Sequence, residues 1–335
     1  MRKDEDRMRL SIGVPAYNQG RFLRETLESI LHQNVPFHEI VISNNHSTDS
    51  TAEVIAAVQR ENPGRIRLVM PPEHITMAAN WNFTASQLSG DWFSLISSDD
   101  LTLPNFAGSV QAAAAQSSDA VLIRGGWRSI DIEGNSRGDH RLLSVSRVTR
   151  PPKTLYEQRF APKGAFAAFA IRRDIWERAG GFPEEVTLYS DWGMWLLAGA
   201  LGNIVTTDEI IAAYRSGHQQ SIDRARYPAY IREVFTIYRQ ILPRATQLGG
   251  FGTPDWIDKA SRRFFRGLLT RVSNEFAADE RLELVEAFRP WAEAVSETAR
   301  LELFANGEVF REFSPAKTLR PLARRIVDAV RPPRR

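Results

Sequence analysis

The sequence predicts an α/β fold, a mostly parallel sheet flanked by helices and followed by a C-terminal helical extension. Three observations predict it. Short β-rich apolar runs recur through the first 125 residues at intervals of about 25 to 30, helical periodicity fills the first gaps between them, and polar clusters follow several of the runs. Strands alternating with helices imply right-handed βαβ crossovers, and ligands of such sheets gather at the carboxyl ends of the strands.

The apolar runs cover residues 10–14, 39–42, 66–70, 92–96 and 120–124. Between the first two, Phe22, Leu23, Leu27, Ile30 and Leu31 recur at helical intervals, and between the next two Val54, Ile55 and Val58 do the same. Ser47 and Asp49 are candidate caps of that second helix. Pro15-Ala16-Tyr17-Asn18 follows the first run, Ser43-Asn44-Asn45-His46-Ser47-Thr48-Asp49 the second and Ser97-Ser98-Asp99-Asp100 the fourth. Turns favour Asn, Asp and Ser in their own right. Recurrence at matching strand ends is what marks a site.

Residues 126–165 are polar, Arg-rich and punctuated by Gly and Pro, which predicts a long excursion with one hairpin at Gly134-Asn135. Such excursions beside a sheet often serve as lids or substrate walls. From Tyr227 to about Asn306 the pattern turns helical, as in Tyr230, Val234, Ile237, Tyr238 and Ile241, and a boundary is expected at 222–227.

A length of 335 residues suggests about two domains, and 43% hydrophobic with 25% charged residues excludes collagen-like and globally disordered classes. Cysteine is absent, which excludes disulfides, a thiolate nucleophile, iron–sulfur clusters and cysteine zinc sites. The net charge of +3 is uneven. Residues 317–335 carry Lys317, Arg320, Arg324, Arg325, Arg331, Arg334 and Arg335 against Asp328, a net of +6, and leave −3 for the rest. A mildly acidic body offers no broad basic face to nucleic acid.

In the tail, Leu319, Leu322, Ile326, Val327 and Val330 repeat at helical spacing between basic residues. This is the pattern of an amphipathic helix lying on a membrane surface, or of an ordinary docking helix with a basic end. The most apolar long stretch, 192–205, is interrupted by Asn203 and falls short of the roughly 20 residues that cross a bilayer. The first ten residues are charged and lack the apolar centre of a secretory signal. A cytoplasmic protein is expected, with peripheral contact at the inner face of the membrane through the tail.

No G-x-G-x-x-G and no G-x-x-x-x-G-K-[ST] follows any predicted strand, so a bound diphosphate needs another source of positive charge. Asp99 and Asp100, closing the run WFSLI, could supply one by holding Mg²⁺ or Mn²⁺, or could be solvated turn residues.

The run SIGVPAYNQGRFLRETLESILHQ, then EIVISNNHSTDST, GDWFSLISSDDLTLP, GAFAAFAIRRDIWERAGGF and SDWGMWL, resembles the inverting family-two glycosyltransferases of GT-A fold over about residues 9–222. The resemblance implies a Rossmann-like nucleotide-binding half, 1–125, and an acceptor half, 126–225. The helical extension, 226–316, and the basic tail, 317–335, lie beyond it. It also implies a nucleotide-sugar donor, a saccharide or lipid-linked acceptor and a Mn²⁺ or Mg²⁺ cofactor, in polysaccharide or cell-surface glycan synthesis.

Carried over by position, Tyr17 packs on the donor nucleoside while Pro15 and Ala16 shape the strand end. Asn44 and Asn45 stand where the family often has two aspartates, and an Asn45 amide reading the base edge favours uridine or thymidine diphosphate sugars. The family's D-x-D appears as Ser97-Ser98-Asp99-Asp100, with Asp99 toward the ribose or sugar and Asp100 on the metal. His218, in YRSGH, matches a segment that faces the diphosphate, and it joins Asp100 as a candidate metal ligand. Asp191, before the aromatic-rich helix, matches the catalytic base; as an acidic residue at a helix start it is also a candidate N-cap. Trp192 and Trp195 are either walls of the acceptor pocket or core. Two competing classes remain: a sugar-1-phosphate nucleotidyltransferase, whose basic Gly-rich loop is missing after the first strand, and a catalytically degenerate binding or scaffold subunit.

Overall fold

The computed structural model describes residues 8–217, 226–276 and 281–305. The chain begins with β1 (Leu10–Ala16), α1 (Gly20–Leu31), β2 (Glu39–Asn44), α2 (Thr51–Glu61), β3 (Arg67–Val69), α3 (Met77–Ser86) and β4 (Trp92–Leu95). Next come β5 (Leu101–Thr102), α4 (Phe106–Ala114), β6 (Ala120–Ile130), β7 (Ser136–His140), β8 (Arg147–Thr149) and α5 (Lys153–Gln158). They are followed by β9 (Phe169–Arg172), α6 (Arg173–Ala179), α7 (Ser190–Leu201) and β10 (Asn203–Arg215). The helices α8 (Tyr227–Thr236), α9 (Leu242–Leu248), α10 (Trp256–Glu275), α11 (Arg281–Ala294) and α12 (Thr298–Ala305) form the C-terminal part.

One mixed sheet, in the order β3-β2-β1-β4-β9-β6-β10-β5, organises the described residues. The first four predicted runs form its parallel half: β1 pairs in parallel with β2 and β4, and β2 with β3. Every residue of β1 is buried, as a central strand covered on both faces requires. Gly13 sits where a Cβ would stand 2.7 Å from the Leu95 and Thr84 side chains, so the close packing of α3 over β1 demands its missing side chain. β9 enters antiparallel between β4 and β6, and β10 pairs in parallel with β6 beyond it.

Residues 126–130 continue β6 and 136–140 return as β7, so strand pairing replaces the first part of the excursion expected over 126–165. The hairpin at Gly134-Asn135 forms, with the Gly134 N–H on the Asp131 carbonyl at 3.1 Å. Glycines at the start of this stretch serve close approach. A Cβ on Gly125 would meet Ile211 at 2.7 Å, and one on Gly126 would stand 2.7 Å from the His140 carbonyl. β6 also runs unbroken across the expected division at residue 125.

Two cores sandwich the sheet. One gathers α1, α2 and α4 around Leu23, Leu27, Ile55 and Phe106. The other is continuous from Leu122 and Phe169 through α7 into the C-terminal helices. Trp192 and Trp195 belong to this second core, 0% and 3% exposed, with Trp195 stacked on Phe169 at 4.3 Å and Trp192 edge-on to Tyr238. Their packing settles the choice between pocket wall and core in favour of core. Among the described residues no helix is long and apolar enough to cross a membrane. The tail 317–335, with its expected membrane contact, lies outside the described residues.

Candidate active site

The carboxyl ends of β1 and β2 lie side by side, with Ala16 in register with Asn44 and the Asn45 N–H on the Ala16 carbonyl at 2.9 Å. The two loops that follow are laced together by side chains. The Asn18 N–H donates to Ser47 Oγ at 3.0 Å, the Thr48 N–H to Asn18 Oδ1 at 2.8 Å and the Gly20 N–H to Asp49 Oδ2 at 2.9 Å. Asp49 Oδ1 also accepts from the Thr51 N–H at 3.0 Å, so one carboxylate serves the starts of both α1 and α2. Burial opposes its ionisation, yet the Thr51 hydroxyl and the Gly20 and Thr51 N–H groups hold its pKa below the ordinary value. Ser50, not Ser47 or Asp49, occupies the cap position of α2.

Tyr17 stands 45% exposed at this edge, its ring 4.5 Å from that of His74. Asn45 builds the platform beneath them. Its Nδ2 donates to the Ile75 carbonyl at 2.8 Å, its Oδ1 accepts the Ile75 N–H at 3.0 Å and its own carbonyl contacts His74 Nδ1 at 3.2 Å. At 2% exposure with both amide ends engaged, Asn45 is a clip for the segment after β3. An amide matches the adjacent N–H and C=O of a single residue, and Ile75 supplies that match from within the chain. Asn44, 3% exposed, folds its own loop by accepting the Ser47 N–H at 3.0 Å. His74 carries no local sequence signal beyond its position after the third predicted strand.

Beside β1, β4 ends in the turn that bears Asp99 and Asp100, 1% and 2% exposed, closed by the Asp100 N–H on the Ser97 carbonyl at 3.1 Å. These are not solvated turn residues. Burial first, and then the neighbouring charge of Asp99, push the Asp100 carboxyl well above its ordinary pKa.

Arg215, at the end of β10 and 2% exposed, fixes this turn. Its main-chain N–H donates to Asp100 Oδ1 at 2.8 Å and its Nε to the Asp99 carbonyl at 2.8 Å. Nη1 reaches the carbonyls of Asp131 and Ile132, both at 3.1 Å, and Nη2 meets Glu25 Oε2 at 2.5 Å. The guanidinium thus binds carbonyls and Glu25 beside the two buried carboxyls. Among the described residues no group of three or more His, Cys, Asp and Glu side chains converges. Two carboxylates alone fall short of the oxygen ligands that a divalent ion takes, so an ion held here would need others. His218 lies outside the described residues.

From the opposite core, α7 presents Asp191, half-buried in the first helical turn, where Oδ1 accepts the Trp192 N–H at 2.6 Å. Tyr189, not Asp191, holds the cap position. The loop ahead of Asp191 is tied to the helical extension, since Glu233 on α8 accepts the Leu188 N–H at 2.6 Å. Burial raises the Glu233 pKa against the opposing N–H groups of 187–189.

The Glycosyl transferase family 2 model matches residues 11–179, half of the chain. The chain belongs to that family. The match spans β1 to α6 and stops before Asp191. Among curated relatives of this family 2 chain, a glycosyltransferase named GlyG of Streptococcus pneumoniae serotype 4 is 28% identical over 36% of this chain and 40% of its own length. An uncharacterized glycosyltransferase of Nostoc sp. is 26% identical over 62% of this chain and 65% of its own length. The chain spans less than two thirds of these relatives.

In fold, it is similar to TarS 1–349 of S. aureus solved with UDP, with a TM-score of 0.63 at 15% identity, covering 96% of this chain and 89% of that one. It is also similar to the mannosyltransferase PcManGT of Pyrobaculum calidifontis in complex with GDP-Man and Mn²⁺, with a TM-score of 0.54 at 15% identity over 92% and 88%. These likenesses bear out the GT-A fold.

Proposed function

We propose that this family 2 chain transfers a sugar from a nucleotide-diphosphate donor, with UDP- or dTDP-sugars favoured, to a hydroxyl of a saccharide or lipid-linked acceptor with inversion. Polysaccharide or cell-surface glycan synthesis is the setting proposed. The observation that carries the reading is the buried Asp99–Asp100 pair at the end of β4, beside the strand end that bears Tyr17. Of the two structures similar in fold, TarS is solved with UDP and PcManGT with GDP-Man. Cytoplasmic placement at the inner face of the membrane stays part of the proposal.

Tyr17 and His74 present ring faces to a nucleoside base, on a shelf formed by Pro15 and Ala16 and held by Asn44 and Asn45. Asp99 orients the ribose or sugar. Asp100 would hold Mn²⁺ or Mg²⁺, which would supply positive charge to the diphosphate leaving group. Asp191 takes the proton of the acceptor hydroxyl as its oxygen forms a bond to the anomeric carbon. The carbon–oxygen bond to the diphosphate breaks on the opposite face, and nucleoside diphosphate leaves with that electron pair. Incubation with UDP- and dTDP-sugars and Mn²⁺ should release nucleoside diphosphate, water standing in as a slow acceptor. Silence toward every nucleotide sugar, with no diphosphate binding, would overturn the reading.

A further inference from the structure

Residues 180–189 join α6 to α7 without regular secondary structure and carry the chain to Asp191, so side chains from elsewhere must fix their path. Asn82, half-buried on α3, does so at the start. Its Oδ1 accepts the Phe182 N–H at 2.7 Å, and its Nδ2 donates to the Phe182 carbonyl and to Glu184 Oε1, both at 2.9 Å. An amide bonded to the N–H and the C=O of one residue fixes that residue in position and orientation. Gly181 makes room for the contact. Its φ is +84°, and a Cβ there would stand 2.7 Å from Asn82 Oδ1.

From Phe182 the order passes to the first turn of α7. The Phe182 ring, 2% exposed, sits edge-on to Trp81 of α3 at 5.5 Å and to Trp195 of α7 at 6.1 Å. The Pro183 carbonyl accepts the Ser190 hydroxyl at 2.8 Å, and a Cβ on Gly193 would stand 2.9 Å from the Pro183 ring. Ser190 and Gly193 lie on either side of Asp191 in that turn. The chain therefore reaches Asp191 from a point that Asn82 defines.

The other end of α3 belongs to the candidate donor edge. Asn45 clips Ile75, just ahead of the helix, by the same amide geometry, and Ser43 Oγ at the end of β2 donates to Asn80 Oδ1 at 2.7 Å. His74, whose ring lies beside that of Tyr17, immediately precedes Ile75. The two amide clips act about two helical turns apart along one short element. α3 is thus a strut between the shelf under Tyr17 and the loop that leads to Asp191.

We infer that Asn82 is a positioning residue for the transfer step: through Phe182 and Pro183 it sets where the Asp191 carboxylate stands relative to the donor edge. The inference rests on the reading of Asp191 as the base. A misplaced base loses rate without loosening the donor, since Ser43 and Asn45 still hold the donor end of α3.

The test is a double-mutant cycle on the full chain, reading UDP release from saturating UDP-glucose and UDP-N-acetylglucosamine with Mn²⁺. Asn82→Ala should lower kcat about tenfold or more, with donor KM and UDP affinity within about twofold of wild type. In an Asp191→Asn background the same change should cost under about twofold, because the group it positions is gone. Full kcat in the folded Asn82→Ala variant, an equal loss in the Asp191→Asn background, or a parallel fall in donor affinity overturns the inference. Should Asn82→Ala fail to fold, Asn82→Asp with Glu184→Gln keeps the acceptor for the Phe182 N–H, loses the partner of its carbonyl and carries the same comparisons. Amide hydrogen exchange reads the clip without activity: it should quicken across 182–193 in the variant and stay as slow as in wild type across 43–45 and 74–76. Unchanged exchange overturns the inference. Quickened exchange in a protein that turns over no nucleotide sugar, or whose Asp191→Asn variant keeps the wild-type rate, would sustain Asn82 as the holder of the loop and sink the base reading, which keeps the two failures apart.

Discussion

The main-chain N–H of Arg215 donates to the Asp100 carboxylate at 2.8 Å, joining the end of the last strand to the acidic turn after β4. Because the same residue's Nε holds the Asp99 carbonyl and its Nη2 holds Glu25, one buried arginine ties β4, β10, the 131–132 turn and α1 into a rigid floor. Replacing Arg215 with Met keeps the main-chain bond but orphans two carbonyls and a partly exposed carboxylate. Stability should fall by about 3 kcal/mol, the usual cost of breaking a buried charged network, measurable by urea unfolding. A loss under about 0.5 kcal/mol would mean the clamp is incidental.

Asp100→Asn should abolish the thermal stabilisation that UDP with Mn²⁺ confers on the wild type, because the diphosphate loses its bridging cation. Asp99→Ala should be milder. Without ligands, Asp100→Asn should fold with stability within about 1 kcal/mol of wild type, since an amide oxygen still accepts the Arg215 N–H. Donor binding by the wild type that is tight and insensitive to EDTA would contradict the role.

Glu39 gives a pH signature of the scaffold. Burial opposes its ionisation, but the Ser89 hydroxyl and N–H, the Ser11 hydroxyl and Arg67 outweigh burial and hold its pKa down from 4.5 to about 2. A depressed carboxyl stabilises the fold fully above 4.5 and loses that contribution as pH falls toward 2. Glu39→Gln should therefore cost about 1 to 2 kcal/mol at pH 7, and the gap to wild type should close between pH 4.5 and 2. A gap independent of pH would assign the loss to shape rather than charge.

Glu233 holds the loop ahead of the proposed base by accepting the Leu188 N–H. Glu233→Ala should lower the maximal rate of donor turnover about tenfold with little change in UDP affinity, while Glu233→Gln, which keeps an acceptor, should recover most of it. Equal losses in rate and donor affinity would point to general unfolding instead.

β1, β2 and β4 were legible because their apolar runs end in polar clusters, and strands buried on both faces of a parallel half-sheet leave that mark in one dimension. The exposed β3 shows only its apolar run. β9 and β10 left no such mark. β10, with Thr206, Thr207, Asp208 and Glu209 interrupting its apolar residues, is a strand because β6, β8 and β5 pair with it. Positions 44, 45, 99, 100 and 191 could be singled out from type and resemblance, but partners could not. Asn45 meets Ile75 thirty residues on, Arg215 meets Glu25 across 190 residues, and no local spacing encodes either pairing.

The proposed chemistry turns on Asp191 as the group that accepts the proton. Asp191→Asn preserves shape and can still accept the Trp192 N–H, yet it cannot act as a base. The decisive measurement is the rate of nucleoside diphosphate release by wild type and Asp191→Asn at saturating nucleotide sugar and Mn²⁺. A positioned base is worth about 10² to 10⁴ in rate, so the variant should slow within that range while donor and Mn²⁺ affinities hold. Wild-type turnover by the Asn variant would remove Asp191 from the mechanism.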